Sequence, residues 1–329
     1  MSIHDDLARA TTAINEASSL ALACHISPDG DALGSMLAFM HVMRADGRDV
    51  VASFPDPFVV APHYRSLPGL NVLVPPAEFP VEPDVMVTFD CGSIARLGNL
   101  GDAAKAARQL IVIDHHKSND RFGTLNVIDP TAASSGSVVR NLLAYLGLPL
   151  NEPAAVCLYC ALVCDTGRFQ YEQTTPEVFG LAQELSRFDV PITTLTRQLF
   201  EEHRFAYIQL MAAVLQRAVL RPDLKFVWSA ITAADLEHYG VHIDETEGLI
   251  DVLRRTQEAD VTVILKEAPD GSVRASLRSL GEVDVAAIAD AFHGGGHRHA
   301  AGFTSELPVA VIGERLTELV IRERSQIAS

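Results

Sequence analysis

Four apolar residues, Leu110-Ile111-Val112-Ile113, run without a break into Asp114-His115-His116. An uninterrupted, mostly β-branched run of this length reads as a strand buried on both faces, inside a parallel sheet covered by helices. Its C-terminal end stands where open α/β sheets bind ligands. Three ionisable side chains there are costly to bury unless something charged receives them. A polar loop after a strand accounts for one Asp-His pair but not for the recurrence of the pattern. Leu20-Ala21-Leu22-Ala23-Cys24 reads as a second buried strand and leads into His25-Ile26-Ser27-Pro28-Asp29-Gly30-Asp31. Val85-Met86-Val87-Thr88-Phe89 reads as a third and ends on Asp90. In a parallel sheet these ends share one edge, so His25, Asp29, Asp31, Asp90, Asp114, His115 and His116 are expected to converge.

His25 and Asp29 can reach one cation, and Asp31, placed elsewhere on the same loop, can serve a second. Imidazole and carboxylate without cysteine suit a borderline-to-hard dication such as Mn²⁺. The plainer alternative is an Asp-rich turn with Asp31 as the cap of the next helix, which leaves His25 and Asp29 unexplained. A helix over 152–164 ends at Asp165-Thr166-Gly167, with Gly167 as its C-cap. An acid at a helix C-terminus opposes the macrodipole, which hints that Asp165 meets a cation. Asp90, at the central strand end, is the natural bridging carboxylate between two dications about 3.5–4 Å apart. Such a pair fits metal-assisted hydrolysis of a phosphoester or phosphoanhydride.

The remaining periodicity predicts helices over 5–17, 32–45, 102–108 and 134–146, and strands over 49–54 and 126–128. Residues 55–83 carry many prolines, with a short strand expected near Val72-Leu73-Val74. From Pro176 to about Ala218 the pattern is helical with a break near Val190-Pro191. Beyond it come strands over 226–231, 261–265 and 273–277 and helices over 233–238, 285–292 and 309–323. The expected fold is α/β: a doubly wound, mainly parallel catalytic domain at 1–188, a helical linker at 189–218 and a smaller α+β domain at 219–329. That second domain carries His293-Gly294-Gly295-Gly296-His297-Arg298-His299 between two elements. Consecutive glycines cost backbone entropy, and their usual benefit is close approach of N–H groups to an anion. Arg274 and Arg278 alternate on the preceding strand and can face the same ligand.

With 329 residues and 48% hydrophobic composition the chain has material for two domains with real cores. A net charge of −16 excludes a broad electrostatic footprint on long nucleic acid. Any phosphate ligand needs local positive charge from a few cationic side chains or from metal. The N-terminus has no signal-peptide pattern and no apolar run reaches the length of a membrane span, so the expected location is the cytoplasm. Five cysteines argue against a disulfide framework. Cys157, Cys160 and Cys164, at i, i+3 and i+7, read as core thiols rather than as a zinc site.

Taken in order, His25-Ile-Ser-Pro-Asp29-Gly-Asp31, Asp90, Asp114-His115-His116, Asp165-Thr-Gly and Gly294-Gly-Gly-His297 resemble the DHH phosphoesterases, a catalytic domain followed by the DHH-associated C-terminal domain. The resemblance covers nearly the whole chain. Size and layout resemble the bacterial branch that degrades dinucleotides and other short RNA and dephosphorylates 3′-phosphoadenosine 5′-phosphate. The text around Asp114 and the glycine loop looks most like actinobacterial members, some linked to cyclic di-AMP or its linear product. The resemblance implies two Mn²⁺ ions: one on His25, Asp29 and Asp90, the other on Asp31, Asp90, His115 and Asp165. It implies that His116 contacts the scissile phosphate as an acid, that Asp114 orients a neighbouring imidazole, and that Arg278, Gly295, Gly296 and His297 hold the substrate's far end. Cys91 stands after the bridging Asp where a hydroxyl or small residue is expected, which bears on oxidation rather than on metal. Family II inorganic pyrophosphatases share the first domain but lack the glycine loop, and a non-enzymatic nucleotide sensor would lack the full ligand set. Short RNA and nucleotide bisphosphates are the expected partners, with no membrane; a homodimer is left open.

Overall fold

The buried runs line up as one parallel sheet. In the computed structural model, which describes residues 2–327, the first of two compact units ends at Leu199. It begins with α1 (Ile3–Glu16) and continues β1 (Leu20–Cys24), α2 (Gly30–Ala45), β2 (Val50–Ser53), β3 (Val85–Phe89), α3 (Gly101–Ala106), β4 (Gln109–Asp114) and β5 (Leu125–Ile128). Then come α4 (Ser135–Tyr145), α5 (Glu152–Asp165), α6 (Pro176–Leu185) and α7 (Ile192–Phe200). The strands are ordered β2-β1-β3-β4-β5 and all pairs are parallel. Every residue of β1 and β3 is buried, as expected of strands covered on both faces. One face packs under α2 and α4; the other closes on Leu97, Leu100, Ala103 and Ala104. Strand order reverses between β1 and β3, a topological switch point, so the loops after those strands open a crevice at the sheet's C-terminal edge. His25 and Asp90 follow β1 and β3 directly.

Helices α2 and α5 pack close together because small residues line their contact. A Cβ added at Gly34 would lie 2.4 Å from the Cys157 carbonyl oxygen, and one at Gly30 would lie 2.3 Å from Cys164 Sγ. The start of α2 therefore meets the end of α5, which brings Asp29 and Asp31 to Asp165. Cys157 and Cys160 are buried free thiols inside this packing. Gly34→Ala is expected to destabilise the fold by about 1–3 kcal/mol through overpacking. A lower urea midpoint with an unchanged m-value would show it, and an unchanged midpoint would contradict the packing described.

One expectation is corrected in this unit, and one alternative is set aside. No strand forms near Val72-Leu73-Val74: Leu70–Val72 is a 3-10 turn, and only Val74 touches β2, its N–H 3.0 Å from Ala52 O and its carbonyl accepting from Ser53 Oγ at 2.8 Å. Pro75 and Pro76 follow at once and have no N–H with which to extend a ladder. The alternative of Asp31 as the cap of α2 does not hold, because Asp29 is the cap. Asp29 Oδ1 accepts from the N–H groups of Asp31 and Ala32, each at 3.0 Å.

The second unit begins at Phe200. It holds α8 (Phe205–Gln216), β6 (Val219–Arg221), β7 (Phe226–Ile231), α9 (Ala233–Tyr239), α10 (Leu249–Leu253), β8 (Val261–Glu267), β9 (Val273–Ser279), α11 (Val285–Asp290), β10 (Gly295–His297), β11 (Ala300–Ser305) and α12 (Val309–Ile327). Its sheet is mixed, ordered β10-β11-β9-β8-β7-β6, with β7 and β8 the one parallel pair. Its core lies between one sheet face and Val285, Ile288, Ile312, Leu316 and Val320 of α11 and α12. The glycine run is not a free loop as expected; most of it is edge strand β10, paired antiparallel to β11. Two of its glycines have a packing reason. A Cβ at Gly294 would lie 2.3 Å from Gly302 O, and one at Gly296, where φ is +141°, would lie 2.5 Å from Ala300 O. Gly295 faces open space. Among the described residues no helix is long and apolar enough to cross a membrane.

Candidate active site

Eight of the residues singled out from the sequence lie in the first unit, and the sheet edge collects them. Asp29 uses its two oxygens differently. While Oδ1 caps α2, Oδ2 lies 3.8 Å from His25 Nε2. Asp31 points inward and is 1% exposed. Its carboxylate sits on the N-terminus of α4, accepting from Ser135 N at 2.7 Å, Gly136 N at 3.0 Å and Ser35 Oγ at 3.0 Å. A helix N-terminus favours a carboxylate in this place. Asp165, the last residue of α5, brings Oδ2 to 3.2 Å from His115 Nε2. The chain then leaves through Gly167 at φ +55°, a left-handed exit that spares a Cβ.

Asp90 stands between the two groups. Its Oδ2 is 3.5 Å from His25 Nε2, while its Oδ1 is 3.7 Å from His115 Nε2 and 3.5 Å from His116 Nδ1. Ser135 Oγ donates to Oδ1 at 2.9 Å. The backbone here is left-handed, with φ +55°, a region Asp tolerates better than most residues at a cost of about 1 kcal/mol or more. The ligand atoms of His25, Asp29 and Asp90 lie within 4.8 Å of one another, as do those of Asp31, Asp90 and His115.

The histidines are oriented for this. His25 Nδ1 lies 2.8 Å from the Ile26 carbonyl and His115 Nδ1 lies 3.3 Å from the Ala132 carbonyl. In both rings Nε2 faces the carboxylates, and a cation taking Nε2 would leave Nδ1–H to the carbonyl, the tautomer a metal ligand needs. His116 is held the other way round. Its Nδ1 donates to Asp114 Oδ1 at 2.8 Å, which leaves Nε2 outward. Asp114 is fully buried and also accepts from the His115 and His116 N–H groups and from Asn119 Nδ2.

Electrostatically the cluster is under load. Burial, joined by the Asp90 and Asp165 charges, pushes the Asp31 carboxyl well above its ordinary range. Burial pushes Asp165 up to about 7, with Asp90 adding to it and His115 opposing. Burial would lower His25 and His115, but the carboxylates facing them outweigh it and raise both to about 9. Burial would raise Asp90, but the His25 hydrogen bond and the His116 and His115 charges hold it well below the usual carboxylate range. A cation among these carboxylates and the His25 and His115 Nε2 atoms would relieve the crowding, so the donor set fits a divalent metal.

Four contributors were not legible in the sequence. The Ser135 and Gly136 N–H groups fix Asp31, Asn119 fixes Asp114, and Arg96 reaches His25 Nδ1 at 2.9 Å. The helix start at Ser134-Ser135-Gly136 was the available signal, but nothing local says which carboxylate it serves. The other four candidates belong to the second unit. Arg278 of β9 and His297 of β10 are both in register with Ala300 of β11, so they share one sheet face.

Fold and site together define a hydrolase acting on phosphodiester or phosphate bonds. The chain belongs to the DHH family: the family's N-terminal domain matches residues 19–162 and the DHHA1 domain matches residues 223–322. It is 31% identical over 304 residues to the bifunctional oligoribonuclease and PAP phosphatase NrnA of Thermus thermophilus, covering 92% of this chain and 89% of that protein. It is 26% identical to the cyclic-di-AMP phosphodiesterase GdpP of Bacillus subtilis, over 93% of this chain and 48% of that protein. Among solved structures, an exopolyphosphatase-related protein from Bacteroides fragilis shares the fold at TM-score 0.90 and 21% identity, covering 99% of this chain and 98% of that one.

Proposed function

We propose that this chain is a Mn²⁺-dependent phosphoesterase that hydrolyses dinucleotides and other short oligoribonucleotides to mononucleotides, and 3′-phosphoadenosine 5′-phosphate to AMP. The observation that carries the reading is Asp90, whose two oxygens face different imidazoles. His25, Asp29 and Asp90 would hold one ion, and Asp31, Asp90, His115 and Asp165 the other. When bound, such a pair acidifies water and neutralises phosphoryl charge at a sheet edge otherwise crowded with acids. His116 holds a proton on Nε2 for the leaving oxygen, and Asp114 keeps the ring in place through Nδ1. Arg278 and His297, with Gly295 and Gly296 beside them, are proposed to hold a distal part of the substrate. The similarity to a cyclic-di-AMP phosphodiesterase supports a second reading, hydrolysis of cyclic di-AMP or linear diadenylate.

A side-by-side measurement of kcat/KM with Mn²⁺ on a dinucleotide, a short oligoribonucleotide, the bisphosphorylated adenosine and cyclic di-AMP decides between the readings. The first expects the dinucleotide or the bisphosphate to lead. A lead for the cyclic dinucleotide favours the second, and no turnover of any of the four contradicts both.

The proton inventory gives a pH dependence. His25 and His115, raised to about 9, and Asp165, raised to about 7, keep protons near neutrality that a cation must displace. Mn²⁺ affinity should therefore rise from pH 6 to 9, with protons released on binding. Stability has a matching sign. Raised groups stabilise the metal-free fold below their unfolded pKa values and lose that contribution as pH rises through 7 to 9. Asp29 and Asp90, held low, act only below about pH 4. The Tm of chelator-stripped protein should fall between pH 6 and 9 while the Tm gain from Mn²⁺ grows. Calorimetry in buffers of different ionisation enthalpy counts the protons, and no proton release at pH 7 would contradict this account.

A further inference from the structure

The chain leaves α5 through a turn that is costly to build. After Asp165 and Thr166, three successive residues are left-handed: Gly167 at φ +55°, Arg168 at +62° and Phe169 at +63°. Glycine takes this conformation freely, but a bulky residue there is a strained outlier. Thr166, fully buried, pins the turn from inside. Its carbonyl accepts from Gln170 N at 2.9 Å and Tyr171 N at 3.1 Å, and its Oγ1 accepts from Phe169 N at 3.2 Å. Gln173 Nε2 reaches back to donate to the Asp165 carbonyl at 2.9 Å. What the strain secures is the Phe169 ring, stacked on Phe179 of α6 with centroids 5.6 Å apart and planes 21° apart. This stack is not core: Phe179 is 56% exposed and Phe169 is half-buried. A single exposed apolar side chain needs no explanation. A strained turn that holds an aromatic stack at the surface, next to Asp165, points to a use.

We propose that the Phe169–Phe179 pair is a stacking platform for a nucleobase of the substrate, with Phe179 offering the open ring and Phe169 holding it in place. The inference rests on the dinucleotide reading above and deepens it by naming a base site. The turn starts at Asp165, whose Oδ2 lies 3.2 Å from His115 Nε2. Phe169 follows four residues later, a span of at most about 14 Å of extended chain, and here the chain coils back on Thr166. The platform therefore belongs to the same edge as the catalytic cluster. Its chemistry suits a base rather than a phosphate. A nucleobase is flat and neutral, so the acids nearby do not repel it, and stacking on an aromatic ring accepts any of the four bases. Sequence-tolerant capture of this kind is what a hydrolase of short RNA requires.

Rates on Mn²⁺-loaded protein test it, with a 3′,5′-linked diadenosine monophosphate and its two abasic forms, in which hydrogen replaces one base or the other. The readout is the base preference, the ratio of kcat/KM with a given base to kcat/KM without it. Wild type should prefer a base at one of the two positions by about tenfold, within the range for stacking on an aromatic side chain. Phe179→Leu keeps the apolar bulk but loses the flat face. It should cut that preference at least about threefold, through KM rather than kcat, and Phe179→Trp should restore it. An unchanged preference in Phe179→Leu overturns the proposal. So does an equal fall on base-bearing and abasic substrates, which would make the pair a brace for the Asp165 turn. Wild type that cleaves none of the three sinks the dinucleotide reading itself, whereas cleavage with no base preference at either position sinks only the platform.

Discussion

Asp90→Asn is expected to lower kcat/KM at least about 10³-fold on every phosphoester the enzyme accepts, a loss of several kcal/mol of transition-state stabilisation. Both carboxylate oxygens are in use, Oδ2 toward His25 and Oδ1 toward His115 and His116. Asparagine is the informative substitution. It tolerates the left-handed backbone at φ +55°, where alanine adds strain. It also leaves an oxygen for the Ser135 hydroxyl. Folding should therefore survive while bound Mn²⁺ falls below two per chain. Turnover of any single substrate at near wild-type rate by Asp90→Asn would show that Asp90 does not link the two groups.

His116→Ala should separate chemistry from metal. Its expected loss in kcat is about 10²–10⁴-fold, the range for a general acid, with Mn²⁺ stoichiometry unchanged. Burial lowers the His116 pKa, but the Asp114 hydrogen bond and the Asp90 charge outweigh it, so the ring is more easily protonated than an ordinary histidine. Asp114→Asn removes that support. An acid must carry its proton, so the alkaline limb of the rate profile should move to lower pH in Asp114→Asn. Loss of Mn²⁺ from His116→Ala equal to that from Asp90→Asn would contradict this division of work.

Much of this arrangement was visible beforehand because it is written at strand and helix ends. Each of β1, β3 and β4 is a run of buried residues broken by an ionisable group, and a parallel sheet puts such ends on one edge. Asp165 stood out because an acid at a helix C-terminus is locally unfavourable. What was hidden depends on contacts far apart in sequence. Asp29 and Asp31 are both competent caps, and only the arrival of Ser135 and Gly136, 104 and 105 residues away, draws Asp31 inward. β10 and β11 are rich in glycine and alanine, so neither alternation nor β-propensity announced them. Val72-Leu73-Val74 erred the other way, with strand-like residues stopped by the prolines beside them. Arg96 carried no signal at all, since its meaning lies in one nitrogen of His25.

The central claim, hydrolysis that needs two cations gathered around Asp90, meets its most direct test in one titration. Chelator-stripped protein receives Mn²⁺ in measured equivalents while mononucleotide release from a dinucleotide is followed. The account predicts no release before addition and a rate that climbs to its plateau near two equivalents per chain. Full release in the presence of chelator, or no release at any Mn²⁺ level, would contradict it.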